Sequence, residues 1–566
     1  MRIGKLFKIL IIILMIYAFY HILKNQQQTK LISSESLIDK LFSNSNVKFF
    51  KNHVWMVNNN VMQYSSYILR KKINGSNTFS IKTSIVLDSK RLSGDVFNNS
   101  TYTCLLKSIR NGKIIEIPAT HVITLVHRTP KKVYCSLNND LDIEIEHILV
   151  AIIRAGDFSE TINTKNWTVD KNILPYYMIN FQNPKIVDVP EKKIKSVAMC
   201  TQFCYQLPPS IVEWVKIHEI LKVSQIVLYD STIDNSLTNL INRNNLNHIV
   251  EVRSYYLNET ETCDIKKIDG SKDTEELLSF EKMCKDFVNR IKFVKSLFHT
   301  RLIHDDTSAN DCYSTEGEKY EFITVYDLDE IVFPRKSDKN EINLSCNKNN
   351  DTCSQNSLIP FSLYDYCIDI VKYHFSHDII HLQSIFFDSA LYLPVDTKIR
   401  NLIIDLKNVS KSENVTFPIN VYVSHGVNQK HPFEINKEDL DFIKNLVNEY
   451  ETAECLYSKY KDVLNENFPN FARFFFLDHE VKRGLQSPYK GIHYTDNVLA
   501  FYTHGAYIEG HFKSPSAYFD SIHFLTHFRL DPSEYFNNNI NGSIRKLQID
   551  KRYLNYLIKN FTNFCD

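Results

Sequence analysis

Three carboxylates fall within four residues at Asp327, Asp329 and Glu330, and their setting gives them chemical meaning. They follow Phe322–Tyr326, a run of strand formers, and precede a second apolar run, Ile331-Val332-Phe333. Carboxylates pressed against buried strands are costly unless something neutralises them. A hard divalent cation does so, and a cation held by one or two carboxylates also grips phosphate oxygens. In extended chain, residues two apart face the same side, so Asp327 and Asp329 can both address one cation, directly or through water. A lone Asp-x-Asp is common and often only a solvated acidic turn; the apolar flanks on both sides favour the metal reading. Histidines near the C-terminus could complete the shell. His504, in Tyr502-Thr503-His504-Gly505, and His527, in Thr526-His527-Phe528-Arg529, are the candidates. Lys490 or Arg529 could contact phosphate oxygens. Neither G-x-G-x-x-G nor G-x-x-x-x-G-K-[ST] occurs in the chain. A nucleotide diphosphate would therefore have to be held by other means than a glycine loop, and the Asp pair supplies one.

The surrounding pattern predicts the elements that would present these groups. Ser196–Cys200 reads as a buried strand. Ser210–Leu221 reads as a helix with an apolar face and Ser210 as its N-cap. Gln225–Tyr229 is a second strand ending at Asp230, Leu237–Ile241 begins another helix, and His248–Val252 is a third strand. A long helical stretch over Asp273–Ile303 leads to His304-Asp305-Asp306, then Asn310-Asp311-Cys312 and the acidic segment. Alternating strand and helix predicts an α/β class with a parallel sheet, whose ligands sit at the carboxyl ends of the strands. Asp230 is at one such end, although a helix cap or turn residue would read the same way. From 47 to 190 short β-branched runs alternate with turns, for example Ile81–Leu87 and Val122–Val126. This predicts a β-rich N-terminal domain.

Composition narrows the class. The chain has 566 residues, 43% hydrophobic and 23% charged, a globular balance. Lys+Arg is 66 against Asp+Glu 65, a formal net charge of +1, which argues against a nucleic-acid partner. Leu6–Leu23 is apolar except for Lys8 and His21, with Arg2 and Lys5 before it. At about 1.5 Å per residue it is long enough for a thin bilayer. Its end, Tyr17-Ala18-Phe19-Tyr20-His21, is a poor cleavage site, so a retained signal anchor is expected rather than a cleaved signal peptide. The basic side then stays cytoplasmic: a tail over 1–5, a transmembrane helix over 6–23, a polar stem over 24–46, and a lumenal remainder in a single-pass type II protein. The 12 scattered cysteines suit disulfides in an oxidising lumen better than zinc, with a connectivity that spacing leaves open. Asn-x-Ser/Thr sequons recur from Asn74 to Asn560 and agree with that compartment.

The residues resemble glycosyltransferase family 92, also described by a domain of formerly unknown function numbered 23. Four segments carry the likeness: Met199-Cys200-Thr201 with Glu213-Trp214 and Ile226–Asp230; Asn310-Asp311-Cys312 ahead of Tyr326–Pro334; Lys490 to His504; and His527-Phe528-Arg529. It covers roughly 195–535, and 195–540 is read as the catalytic domain, with 541–566 a C-terminal tail. The resemblance implies a GT-A fold, a UDP-sugar donor such as UDP-galactose, manganese or another divalent cation, and a glycan acceptor on a glycoprotein or glycolipid in the Golgi. Carried over, Asp327 and Asp329 hold metal and diphosphate, Asp230 binds the uridine end, and His504 or His527 is the C-terminal metal ligand. An inverting transfer also needs a carboxylate to take the acceptor proton, and Asp388, after Ile385-Phe386-Phe387, is the candidate base. The competing expectation is a catalytically inactive glycan-binding ectodomain on the same fold. A sulfotransferase would need a phosphate-binding glycine loop that the chain lacks.

Overall fold

The structure is a computed structural model. It describes residues 48–50, 53–58, 61–73, 75–87, 102–124, 130–137, 144–154, 179–201, 211–231, 236–257, 262–263, 275–292, 298–332, 362–374, 384–393, 414–421, 429–436, 476–478, 490–502, 505–508, 517–528 and 545–549, with 388–393 and 517–528 among the stretches described by backbone alone.

Up to residue 189 the described residues are mostly strand. β1 (Lys48–Phe50), β2 (Met56–Asn58), β3 (Val61–Ile73), β4 (Ser76–Leu87), β5 (Tyr102–Ser108), β6 (Ile114–Pro118), β7 (His121–Thr124), β8 (Pro130–Leu137), β9 (Ile148–Arg154), β10 (Asn180–Gln182) and β11 (Lys185–Val189) form two sheets. One is ordered β1-β10-β9-β5-β6; the other is β11-β3-β4-β8-β7, with β2 paired to β3. Alternating apolar residues from both, including Ile68, Ile81, Ile85, Leu106, Val133 and Ile152, close a core between them. Cys104 and Cys135 are disulfide-bonded across that core.

After Pro190 the period changes. β12 (Ile194–Thr201) leads to α1 (Ile211–Ile220), β13 (Gln225–Asp230), α2 (Ser236–Arg243) and β14 (Val250–Ser254). α3 (Glu275–Ile291) and α4 (Phe298–Lys319) precede β15 (Tyr320–Tyr326) and β16 (Glu330–Val332), and α5 (Leu363–His374) follows. β14, β13, β12 and β15 lie side by side and parallel. The chain thus winds outward from β12 to β14, then returns to the other side of β12 with β15. Strand order reverses between β12 and β15, the position at which open α/β sheets leave a crevice at their carboxyl ends.

The sheet continues through strands of mixed direction. These are β17 (Ser384–Leu393), β18 (Asn414–Val421), β19 (Gln429–Asn436), β20 (Phe476–Asp478) and β21 (Lys490–Tyr494), then β24 (Ala517–Phe528) and β25 (Arg545–Ile549). Most pair antiparallel, whereas β17 with β24 and β19 with β25 are parallel. β21 is inserted between β15 and β17. β22 (Val498–Tyr502) and β23 (Gly505–Ile508) form a separate hairpin. Gly491 lets β21 lie close to β17, because a Cβ there would meet the Ile385 carbonyl oxygen and the Phe386 ring at 3.0 Å each.

One helix departs from expectation. The pattern predicts helix over Asp273–Ile303 and then a polar segment. The structure instead has two helices, and α4 runs on through the Asp-, Ser-, Thr- and Asn-rich stretch to Lys319. Such residues favour turns because their side chains compete for backbone groups. Here they bond back within the helix. The Thr307 hydroxyl donates to the Ile303 carbonyl, the Asn310 amide to the Asp306 carbonyl and the Ser314 hydroxyl to the Asn310 carbonyl, at 2.7–2.8 Å. The helix can therefore be buried between layers. It packs on β12 and β15 on one side and on β3, β4 and β8 on the other.

The two strand systems share a core as a result. Trp55, Val57, Met62, Tyr64 and Val86 pack into one cluster with Ala198, Cys200, Val227, Tyr229 and Ile323. The opposite face of the parallel sheet carries its own core from α1, α2 and α5, including Trp214, Ile217, Leu237, Ile241 and Leu363. Cys200–Cys312 ties β12 to α4, and Cys263–Cys284 is a third disulfide. Cys200 thus pairs across 112 residues rather than with nearby Cys204, and Cys367 is free and buried. Among the described residues no helix is long and apolar enough to cross a membrane. The expected anchor, Leu6–Leu23, lies outside the described residues.

Candidate active site

β15 carries Phe322–Tyr326 into the centre of the sheet, and Asp327 follows Tyr326, which is paired with Thr201, the last residue of β12. The acidic segment therefore stands at the strand-order reversal. The chain then turns tightly. The Glu330 N–H donates to the Asp327 carbonyl at 3.0 Å, and the Asp327 N–H donates to Glu330 Oε2 at 2.9 Å. A third bond fixes the turn from below, since the Trp214 indole N–H of α1 donates to the Glu330 carbonyl at 2.9 Å.

Lys490 opens β21, which pairs antiparallel with β15, so its side chain meets the turn. Its Nζ lies 3.4 Å from Asp327 Oδ1 and 3.5 Å from Glu330 Oε2. Lys490 is 2% exposed and Glu330 3%, whereas the Asp327 side chain keeps 25% of its surface in contact with solvent. Burial alone would lower the Lys490 ammonium's pKa. The carboxylates of Asp327, Glu330 and Asp305 outweigh burial and hold it above its ordinary value. Asp305 comes from α4, which runs back along the sheet before β15, so the amino half of this helix lies level with the strand's carboxyl end. Asp305 and Asp306 are both buried.

Asp230 ends β13 and is 3% exposed. It shares the carboxyl edge with Asp327 but sits two strand positions from β15, about 10 Å at ordinary strand spacing. His527 lies on β24, where the register sets its backbone directly opposite Glu330. Asp388 lies on β17, at a register irregularity just past Phe387, and Phe387 is the partner of Lys490. The side chains of Asp388 and His527 are outside the described atoms, and His504 and Arg529 lie outside the described residues altogether. The fold thus brings Asp327, Asp329 and Lys490 to one turn, with the backbones of His527 and Asp388 on the adjoining strands. Asp230 is placed farther along the same edge. Among the described residues no group of three or more His, Cys, Asp or Glu side chains forms a metal cage.

Two roles escape a reading of the sequence. Glu330 is visible as part of the acidic block, but only the fold shows it turned inward to close the turn. The Asn310-Asp311-Cys312 element is a structural joint. Asn310 brackets Phe501 with two backbone bonds, donating to its carbonyl at 2.7 Å and accepting from its N–H at 2.8 Å. Asp311 is fully buried and accepts bonds from Ser65, Tyr67, Tyr229 and Arg253. Burial would raise its pKa, but Arg253 above all, with His53 and the hydroxyl donors, holds the carboxyl below its ordinary value. Its helical spacing from Asp305 gave no hint of this division of labour.

No curated protein and no solved structure matches the chain. The model of glycosyltransferase family 92 matches residues 195–472, the span that contains β12 to β15, the acidic turn, Asp230 and Asp388. Residues 195–472 are thus a glycosyltransferase family 92 segment.

Proposed function

We propose that the chain is a divalent-cation-dependent transferase that moves galactose from UDP-galactose to a glycan acceptor with inversion. The family match supplies the coarse function, glycosyl transfer from a sugar donor to a glycan. The finer reading rests on one observation: Asp327 and Asp329 leave the central strand where the order of the parallel sheet reverses. That position, with the strand order β14-β13-β12-β15, also supports a GT-A type of domain.

The donor set suits a hard cation. Asp327 and Asp329 offer carboxylate oxygens at a partly solvated edge, and His504 or His527 would complete the shell. A cation bound there would supply a Lewis acid for the leaving diphosphate. The protein's own groups divide the remaining work. Asp230, farther along the edge, binds the uridine end, and Arg529 faces phosphate oxygens, while Lys490, buried against Asp327 and Glu330, offsets the charge of the turn. Asp388 accepts the proton of the acceptor hydroxyl as its oxygen bonds the anomeric carbon and the bond to the diphosphate breaks. The apolar run over 6–23, the disulfides and the sequons support a Golgi lumenal catalytic part on a type II anchor.

UDP release by the full chain, with UDP-galactose, a fucosylated or galactosylated glycan acceptor and manganese, tests this reading. Turnover should vanish with EDTA and return with manganese. Asp329→Ala should lose about 10²–10³-fold in rate, as expected when several kcal/mol of charge stabilisation is removed. Full activity in EDTA or in Asp329→Ala would refute the assigned chemistry. Glycan binding without donor consumption would favour the inactive ectodomain instead.

A further inference from the structure

We infer that Glu330 is a positioning residue that locks the Asp327–Glu330 turn, with Lys490 as the counter-ion that lets it be buried; the inference rests on the proposed role of Asp327 and Asp329. An acidic block invites the assumption that each carboxylate faces the ligand, and the geometry separates them. Glu330 Oε2 already accepts the Asp327 N–H at 2.9 Å and lies 3.5 Å from Lys490 Nζ, within a residue 3% exposed. The Glu330 backbone is held at both ends, its N–H by the Asp327 carbonyl and its carbonyl by Trp214. Lys490 Nζ lies 3.4 Å from Asp327 and 3.5 Å from Glu330, so one ammonium is set against two carboxylates of the turn. Without it these like charges would repel one another and the turn would open.

The arrangement fixes the backbone of Asp327 from two sides while its carboxylate stays partly exposed. Asp329, half-buried within the same turn, inherits that placement. Holding liganding groups by charged partners of their own is how outer groups usually tune a metal or phosphate site, and disturbing them typically costs 10–100-fold in affinity. The device also explains why a lysine stands beside a proposed cation site: at 3.5 Å from Glu330 and 3.4 Å from Asp327, one ammonium offsets the buried carboxylate and part of the charge of its partly exposed neighbour.

The test compares Glu330→Gln, Glu330→Asp and Glu330→Ala in the full chain. Glutamine keeps an oxygen that can accept the Asp327 N–H. Aspartate keeps the charge but is one methylene too short to reach it. Two readouts are needed. Amide hydrogen exchange of the 320–332 segment reports the lock without any ligand, and manganese and UDP-galactose half-saturation report its consequence. Glutamine should keep native protection and stay within about threefold in both half-saturations, while alanine and aspartate should lose Asp327 protection and rise about tenfold or more. Native protection in alanine and aspartate would overturn the inference. So would a glutamine variant as impaired as alanine in manganese half-saturation, since Glu330 would then act as a ligand through its charge. If the native chain neither binds manganese nor consumes donor, the proposed function fails, while the exchange pattern still decides the role of Glu330.

Discussion

Replacing Asp311 should destabilise the whole molecule, and the size of the effect follows from what the residue holds. Its carboxylate is fully buried and stands 2.9 Å from Arg253 Nη1, itself 1% exposed. Removing one partner of a buried ion pair costs about 3–5 kcal/mol. Arg253 retains Glu316 at 3.2 Å and Glu251 at 3.1 Å, so the lower end, about 3 kcal/mol, is expected for the isosteric Asp311→Asn. Asp311→Ala also leaves the buried Ser65 and Tyr229 hydroxyls without their acceptor, at about 1 kcal/mol each, for a total of about 5 kcal/mol. Tyr67 loses less, because its hydroxyl stays 2.6 Å from His53. Unfolding entropy is about 2.1 cal/mol/K per residue, so a single cooperative unit of about 500 residues has about 1 kcal/mol/K. The melting temperature should then fall by about 3 °C in Asp311→Asn and about 5 °C in Asp311→Ala. Calorimetry of the full chain measures this directly. Ser65 and Tyr67 come from β3, while Tyr229 and Arg253 come from β13 and β14, so both strand systems should melt in the one shifted transition. A shift below about 1 °C in Asp311→Ala, or two transitions of which only one moves, would refute a single body joined at Asp311.

Acid should weaken the fold at a pH well above the ordinary carboxylate range. Burial lowers His218 and His304 to about 4 and His493 to about 3, and all three are at most 2% exposed. Below pH about 6.5 the unfolded chain binds a proton at each that the folded chain refuses. Their contribution is therefore complete above that pH and is lost as pH falls toward 4, at about 1.4 kcal/mol per pH unit per histidine. Urea titrations from pH 7 to 5 measure the slope, and a flat profile would contradict it. The disulfides should rank by the loop each closes. Cys200–Cys312 spans 112 residues and Cys263–Cys284 spans 21. Chain entropy gives about 4.8 and about 3.3 kcal/mol respectively. Paired serine substitutions compared by thermal melting should show the larger loss for the first, and the reverse order would show that strain or residual structure dominates instead.

Periodicity and position carried much of this architecture. The alternation at 195–252 is a backbone property, and β12, α1, β13, α2 and β14 lie where apolar spacing puts them. The acidic segment was legible for the same reason, since a buried strand followed by Asp-x-Asp-Glu says something about burial as well as charge. What stayed hidden depends on partners distant in sequence. Glu330 and Lys490 are 160 positions apart, and only the insertion of β21 beside β15 brings them to 3.5 Å. Nothing local marks one carboxylate of the block as buried and the others as partly exposed.

The same reasoning accounts for α4. Local propensity ends a helix at Ile303, because His304–Thr315 is rich in residues that favour turns. The helix persists because both of its sides are covered, and Thr307, Asn310, Ser314 and Asp311 have the backbone bonds or ion partner that burial requires. This gives two distinct uses to the acidic residues of one helix. Asp305, near the amino end, faces Lys490 and so belongs electrostatically to the turn that carries Asp327. Asp311, less than two turns on, faces the opposite way and gathers hydroxyls from β3 and the guanidinium of Arg253. The resemblance that singled out Asn310-Asp311-Cys312 therefore pointed to the joint that aligns the site rather than to the site. By that argument a chain beginning at residue 195, although it would hold all of the matched family segment, would lose Ser65, Tyr67, Trp55 and Tyr64 from around α4. It would lose with them the covering that keeps Asp305 and Lys490 level with the acidic turn.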